Sequence, residues 1–328
     1  MTTRRKLLLA LSASTLSATL PASAQQLRKV WRIGYFTMGS AQGNAAFLAA
    51  FREGMAALPW VEGRDFTFDA RYAGGVAQAA PGMAADLIAG RPDLLLAAGD
   101  AAAHLLAERT KTIPIVFCIV QDPVGSGLAA SLQHPGGNLT GLTTLSRELG
   151  AKRLQLVREA FPRAVQVVVL FDPTNLGGVA EAEDIEAGAA LLKIRVTAIE
   201  VRQAADIEPA FRRGAAIGAD AYMLTQSGII NVQRKLIAEL SLRASRPAIA
   251  PDFQFLQMGG LMSYGASFED NYRRAAGYVD KILKGTKPGD LPIEQPIKFE
   301  LAVSLKAAKA MGITFDKSFL ARVDRVIE

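Results

Sequence analysis

From residue 30 onward the chain alternates short apolar runs with stretches whose apolar positions recur every three or four residues. The runs 30–37, 66–72, 93–98 and 113–120 read as strands, with helical stretches 44–58, 77–89 and 101–110 among them. The core of the third run, Leu94-Leu95-Leu96-Ala97-Ala98, is apolar on both faces, as is Ile115-Val116-Phe117-Cys118-Ile119-Val120. Continuous apolar strands separated by helices predict parallel βαβ units. His134-Pro135-Gly136-Gly137-Asn138 interrupts the alternation with the strongest turn chemistry in the chain, and no strand is expected between 134 and 144. The alternation then restarts, with helices at 148–161, 178–192, 207–217 and 230–244 and strands at 165–171, 194–200, 219–224, 248–250 and 260–264. Phe268, Tyr272, Ala275, Ala276, Val279, Ile282 and Leu283 share one face of the clearest helix, which Gly285 ends before a linker marked by Pro288 and Pro292. A strand at 297–301 and a helix at 304–311 complete the pattern. The fold class is therefore α/β, with two doubly wound open-sheet domains on either side of the Gly/Pro break. In such sheets ligands bind beyond the carboxyl ends of the strands, so two facing domains place those loops across one cleft that can close.

The first residues follow a different pattern. Arg4-Arg5-Lys6 precedes an uncharged stretch from Leu7 to Leu20, and Pro21-Ala22-Ser23-Ala24 supplies small residues for cleavage. The stretch is too short to span a bilayer of about 30 Å comfortably. It reads as an export signal, residues 1–24, cleaved after Ala24 and recognised by the general secretory or the twin-arginine route. No cysteine lies near that point, so no lipid anchor is expected. Removing the signal lowers the formal net charge from +6 by the three cations Arg4, Arg5 and Lys6. The remaining Lys and Arg are scattered among acids, which argues against nucleic acid as a partner. With half the residues apolar and 21% charged, a folded, soluble, exported chain is expected.

A search for catalytic chemistry returns little. The chain contains no G-x-S-x-G, no P-loop and no H-E-x-x-H. A single cysteine and two histidines leave no metal or disulfide framework, and no cofactor is expected. Gly125-Ser126-Gly127-Leu128-Ala129-Ala130 fits G-x-G-x-x-A, but a dinucleotide site also requires a following strand that ends in an acid. Cys118 reads as a small buried apolar residue. His104 and His134 read as satisfied or solvent-facing.

What remains is a set of small polar residues at expected strand ends. They are Gly39, Ser40 and Asn44; Gly99, Asp100, Ala101 and Ala102; Gln121 and Asp122; Asn175; Gln226 and Ser227; Asp252; and Ser263 with Tyr264. Helix starts at Ala101 and Val124 would offer free amides to a carboxylate, and Asp122 would offer a charge to an ammonium group. Phe36, Phe253 and Tyr264 would supply an apolar wall.

Blocks spread through nearly the whole chain resemble the periplasmic substrate-binding proteins of ABC importers, in the subfamily that includes binders of tryptophan and tyrosine. The carrying residues are Trp31-Arg32-Ile33-Gly34-Tyr35, Trp60-Val61-Glu62-Gly63-Arg64, Thr112 to Phe117, Gln121-Asp122-Pro123-Val124 and His134 to Gly141. Further blocks are Gly259 to Gly265, Arg273 to Gly285, and Asp290-Leu291-Pro292-Ile293-Glu294-Gln295-Pro296 ahead of Lys298-Phe299-Glu300-Leu301. The resemblance implies a type I binding-protein fold with crossings near Leu142–Thr144, Ala250–Pro251 and Ile293–Pro296, and with Gly136-Gly137 close to the hinge. Domain 1 would comprise 27–142 plus 251–293, and domain 2 would comprise 143–250 plus 294–328. It implies a monomeric periplasmic receptor without enzymatic activity, which binds a small molecule, an amino acid with aromatic ones among the candidates, and delivers it to an inner-membrane ABC permease. A binding protein that signals to a membrane sensor and a secreted α/β enzyme are the alternatives. Asp100 departs from the family pattern, which favours a small or hydroxyl residue there. A carboxylate at that position would repel a ligand carboxylate or bind an amine, unless it caps the helix at Ala101.

Overall fold

A computed structural model describes residues 29–328, so the export-signal expectation for residues 1–24 lies outside the described residues. In the first half, strands β1 (Trp31–Thr37), β2 (Phe66–Tyr72), β3 (Leu94–Ala98), β4 (Ile115–Val120) and β5 (Leu139–Thr143) alternate with helices α1 (Ala41–Ala57), α2 (Ala80–Ala89) and α3 (Asp100–Arg109). Next come α4 (Ser146–Ala160), β6 (Gln166–Phe171), α5 (Leu176–Ala189), β7 (Arg195–Glu200), α6 (Ile207–Ala216), β8 (Ala221–Leu224), α7 (Gly228–Val232), α8 (Arg234–Ala244), β9 (Ala248–Ala250), α9 (Gln254–Gln257) and β10 (Met262–Ala266). The chain ends with α10 (Phe268–Leu283), β11 (Phe299–Ser304), α11 (Leu305–Met311), α12 (Lys317–Leu320) and β12 (Arg325–Ile327).

The strands form two sheets, β2-β1-β3-β4-β5 and β12-β11-β10-β9-β8-β6-β7. The first is parallel throughout, and in the second only β10 and β11 run antiparallel. Helices cover both faces, so β3, β4 and β8 are buried along their whole length. That burial explains why their sequences carry no polar alternation.

Three crossings join the sheets. The first follows Thr143 at the end of β5, and the third follows Glu294, which pairs with Leu142 before β11 enters the second sheet. The second corrects the sequence expectation. The resemblance places it near Ala250–Pro251, but β10 lies in the seven-stranded sheet and the chain returns to the first half only at Ser267. From there α10 packs its apolar stripe into the core of the first sheet beside Tyr35, Phe47 and Phe51. Ser267 caps α10 by accepting from the Asp270 amide, and Asn271 donates to the carbonyls of Cys118 (3.0 Å) and Thr143 (2.9 Å).

Other differences have local causes. The turn-rich stretch after His134 does contain a strand, β5, because positive-φ Gly136 and Gly137 finish the turn before Leu139. That strand ends in Thr143-Thr144 rather than an acid, and residues 121–138 hold no helix, so Val124 starts none. The glycine pair lies at the amino end of β5, a strand length from the crossing, and not at the hinge. The helix expected over 230–244 is broken at Gln233, whose amide bonds back to both Ile229 and Ile230. Burial pushes the Cys118 thiol well above its usual range, in line with an inert core residue. His104 is half-buried, and its Nε2 has no hydrogen-bond partner among the described residues.

The second half is locked by a charge inside its core. Arg153 on α4 and Glu181 on α5 are both fully buried and paired. Arg153 also donates to the carbonyls of Ser146 (2.6 Å) and Tyr264 (3.2 Å), while Ser146 Oγ donates to Glu181. Removing one partner strands the other charge in the core. Arg153→Met is expected to cost about 3–5 kcal/mol in denaturant unfolding, whereas Arg153→Met with Glu181→Leu recovers most of that loss. A single variant as stable as the parent would show that the pair does not hold α4, α5 and β10 together.

Candidate functional site

Residues at or beyond the carboxyl ends of β1, β3 and β4 in one sheet and of β6 and β8 in the other come together around one site. The loops beyond them line a cavity shared by the two halves. The first half contributes Thr37, Met38, Gly39, Ser40, Asn44, Phe47, Ala98, Gly99, Asp100, Ala101 and Ile119, and the second contributes Asn175, Gln226, Ser227, Gly228, Asn231, Val232 and Arg234. The wall mixes apolar side chains with a few polar groups.

Most polar residues expected here from sequence are on the wall, but each also has a structural task. Ser40 caps α1 by accepting from the Gly43 amide. Asn44 accepts from the Tyr35 hydroxyl (2.9 Å) and donates to Ser40 O (2.8 Å). Asn175 caps α5 and donates to Gln226 O (2.9 Å), and Ser227 caps α7. Gln226 reaches across the cleft. Its side chain donates to Ile119 O (2.9 Å) and accepts from Thr144 Oγ1 (3.2 Å), and its carbonyl accepts from the Gln121 side chain (3.2 Å).

Asp100 is the first residue of α3, after positive-φ Gly99, and does not cap the helix with its side chain. Its carboxylate accepts from the Gln121 amide (3.0 Å) and from Gln121 Nε2 (3.4 Å). Burial outweighs these bonds and pushes the carboxyl up to about 6 from an ordinary value of 3.8, with the Asp122 charge adding to the rise.

Six expected ligand residues, together with Phe36 and Phe253 of the expected apolar wall, lie off this wall. Ala102 is in the core, Gln121 sits behind Asp100 and Gln226, and Ser263 lines a neighbouring crevice with Phe253. Tyr264 offers its carbonyl to Arg153 and its ring to Phe299. Asp122 is corrected as a ligand group: its carboxylate accepts from the Gly125 amide (2.7 Å) and pairs with Arg147 (3.6 Å) at a partly exposed site. Phe36 is a core residue rather than a wall. Asp252 belongs to the crevice, where it pairs with Arg234 (2.6 Å).

Arg234 and Asn231 were not singled out by sequence reasoning. A signal was present, because Arg234 follows Ile230 by four residues and precedes Ile237 by three. A charge inside an apolar stripe needs a reason to be there.

The lips of the cleft touch. A Cβ added at Gly228 would lie 2.5 Å from Met38 Cβ, one at Gly177 would lie 2.8 Å from Gln121 Nε2, and one at Gly75 would lie 3.1 Å from Ile229. The halves are therefore closed on each other.

A profile described as ABC transporter substrate binding protein matches residues 39–327. A tyrosine-binding protein of Clostridioides difficile is 23% identical over 233 residues, covering 70% of this chain and 66% of its own length, just under two thirds. A conserved domain protein of Vibrio cholerae superposes with a TM-score of 0.85 at 26% identity, over 91% of this chain and 100% of its own. An ABC domain from Streptococcus pneumonia, solved in complex with L-Trp, gives 0.82 at 21% identity over the same shares.

The raised carboxyl of Asp100 has a measurable sign. The folded carboxyl keeps its proton up to about pH 6 and the unfolded one only to about 3.8. The stability it contributes is therefore complete below pH 3.8 and is lost as pH rises through 6, by up to roughly 3 kcal/mol. Burial raises Glu181 in the same direction, so the test is a difference between proteins. Asp100→Asn is expected to flatten the fall in unfolding free energy between pH 4 and 7 relative to the parent. Parallel profiles would show that Asp100 does not titrate in that window.

Proposed function

The chain belongs to the ABC transporter substrate binding protein family, and we propose that it is the solute receptor of an import system, taking an amino acid into the cleft between its two halves. The observation that carries this reading is the cavity itself: its wall is drawn from the strand ends of both sheets, and the lips above it meet. A ligand held there touches both halves at once, so its binding energy can stabilise the closed arrangement. Amino-acid chemistry is supported by the tyrosine-binding relative and the L-Trp complex among the structural neighbours. Phe47, Met38, Ile119 and Val232 offer an apolar lining for a side chain, and Asp100 offers a partner for an ammonium group.

In this reading Ser40, Asn44, Gly99, Asp100, Ala101, Asn175, Gln226 and Ser227 surround the ligand. Several of them hold the loops in place through the caps described above. The division into 29–143 with 267–294, and 144–266 with 295–328, follows the sheets and sets the two bodies that would close. A closed receptor presents one composite surface to a permease, which fits an extracytoplasmic location. The family is one of solute-binding proteins, which weighs against a secreted enzyme.

Two measurements test the proposal. A thermal-shift panel of the twenty L-amino acids, on protein refolded to strip any carried ligand, is expected to show one aromatic or branched member raising the melting temperature. Saturation at 100 times Kd corresponds to about 2.7 kcal/mol. A panel without any shift removes the amino-acid assignment. Gly228→Ala should leave both halves folded but crowd Met38 on closure. Overpacking of this kind costs about 1–3 kcal/mol, or roughly 5- to 150-fold in affinity. Unchanged affinity by calorimetry would mean that closure does not bring these lips together.

A further inference from the structure

The cavity wall contains a cation that the caps and latches do not explain. Arg234, the first residue of α8, has a side chain only 6% exposed, and what remains accessible borders this cavity. Its guanidinium is oriented from behind. Nη1 donates to Asn231 O and to Gln254 Oε1, both at 3.3 Å, and Nη2 donates to Asp252 Oδ2 at 2.6 Å. Asp252 is itself held by the Gln254 amide at 3.1 Å. These bonds use the terminal nitrogens. Nε finds no acceptor among the described residues and is not one of the atoms sealed from solvent. An arginine fixed by one carboxylate, with an N–H left over at a cavity wall, is a preorganised oxyanion donor.

We infer that Arg234 binds the anionic group of the ligand, and that this group is a carboxylate. The inference rests on the cavity being the ligand site, and it deepens that reading by assigning the charge the ligand carries. Asp252 already balances most of the Arg234 charge, so the site has room for a singly charged group rather than a dianion. Asp100 on the opposite half repels a phosphate or sulfate and accepts an ammonium group. A ligand with one carboxylate and one amine bridges Arg234 of the second half and Asp100 of the first. It thereby gives closure a directional electrostatic component.

The test uses the chain from residue 25, refolded, with the twenty L-amino acids, the amide of whichever binds tightest, and two acids without an amine, 3-phenylpropanoate and 4-methylpentanoate. In the parent, the amino acid is expected to bind at least tenfold more tightly than its amide. Arg234→Lys, which keeps the charge but loses the Nε–H, is expected to shrink that ratio toward one. Arg234→Gln with Asp252→Asn, which removes both charges together, serves if the lysine variant does not fold, and is expected to do the same. A ratio that persists in a folded variant, or an amide that binds the parent as tightly as its acid, overturns the assignment and leaves the receptor reading intact. Binding of the amine-free acids but of no amino acid supports Arg234 and removes the amino-acid reading. Failure of every carboxylate to bind overturns both.

Discussion

The arrangement of this protein depends on one side chain, Gln226, that belongs to one sheet and bonds to the other. It leaves the end of β8, donates to Ile119 O at the end of β4, accepts from Thr144 in the first crossing, and receives the Gln121 side chain on its own carbonyl. Buried amides of this kind must be satisfied, since a lone buried donor or acceptor costs about 1–3 kcal/mol. In this relation of the two halves the Gln226 side chain is satisfied at both its amide nitrogen and its oxygen. Asp100 holds Gln121 in position and Asn175 donates to the same carbonyl of Gln226. The polar residues of the cleft are thus first a scaffold, and they become a binding surface because that scaffold leaves a cavity above it.

Much of this organisation was legible in the chain. Parallel strands such as Leu94–Ala98 and Ile115–Val120 must be apolar on both faces, and their short length between helical stretches marks them as strands. The rule that ligands bind at the carboxyl ends of such strands led to Ser40, Asn44, Asp100, Asn175 and Gln226, all of which line the cavity. What failed to show lies where the determinant is tertiary. The stretches 260–264 and 297–301 read as strands, overlapping the observed β10 and β11, but nothing local says which sheet they join, and the resemblance misplaces the second crossing. β12 is short, with two exposed residues, and acquires its strand geometry only by pairing with β11. Asp122 looks like a ligand group in a strand-end loop, but its turn directs it to Gly125 and Arg147.

The cavity's electrostatics follow from the same economy. The described cleft contains two buried charges of opposite sign, one from each half. Asp100 keeps three hydrogen-bond donors near it yet is still pushed toward neutrality by burial. Arg234 stays in place because Asp252 shares its burial. A neutral occupant would leave both with the desolvation they already carry. An occupant with complementary charges lowers that cost at both ends simultaneously, and only in the closed form, where both ends are within reach.

Closure itself is limited by the smallest residues at the rim. Gly228 meets Met38, Gly177 meets Gln121, and Gly75 meets Ile229, all closer than a Cβ would permit without adjustment. Of these only Gly75 has a backbone that favours glycine, with φ of 81°. The other two owe their identity to the approach of the opposite half. A side chain at either position would hold the lips apart while leaving each sheet, its helices and its core untouched. The glycines therefore act on the relation between the halves rather than on either fold, which is the property a receptor that works by closing must keep separate from its stability.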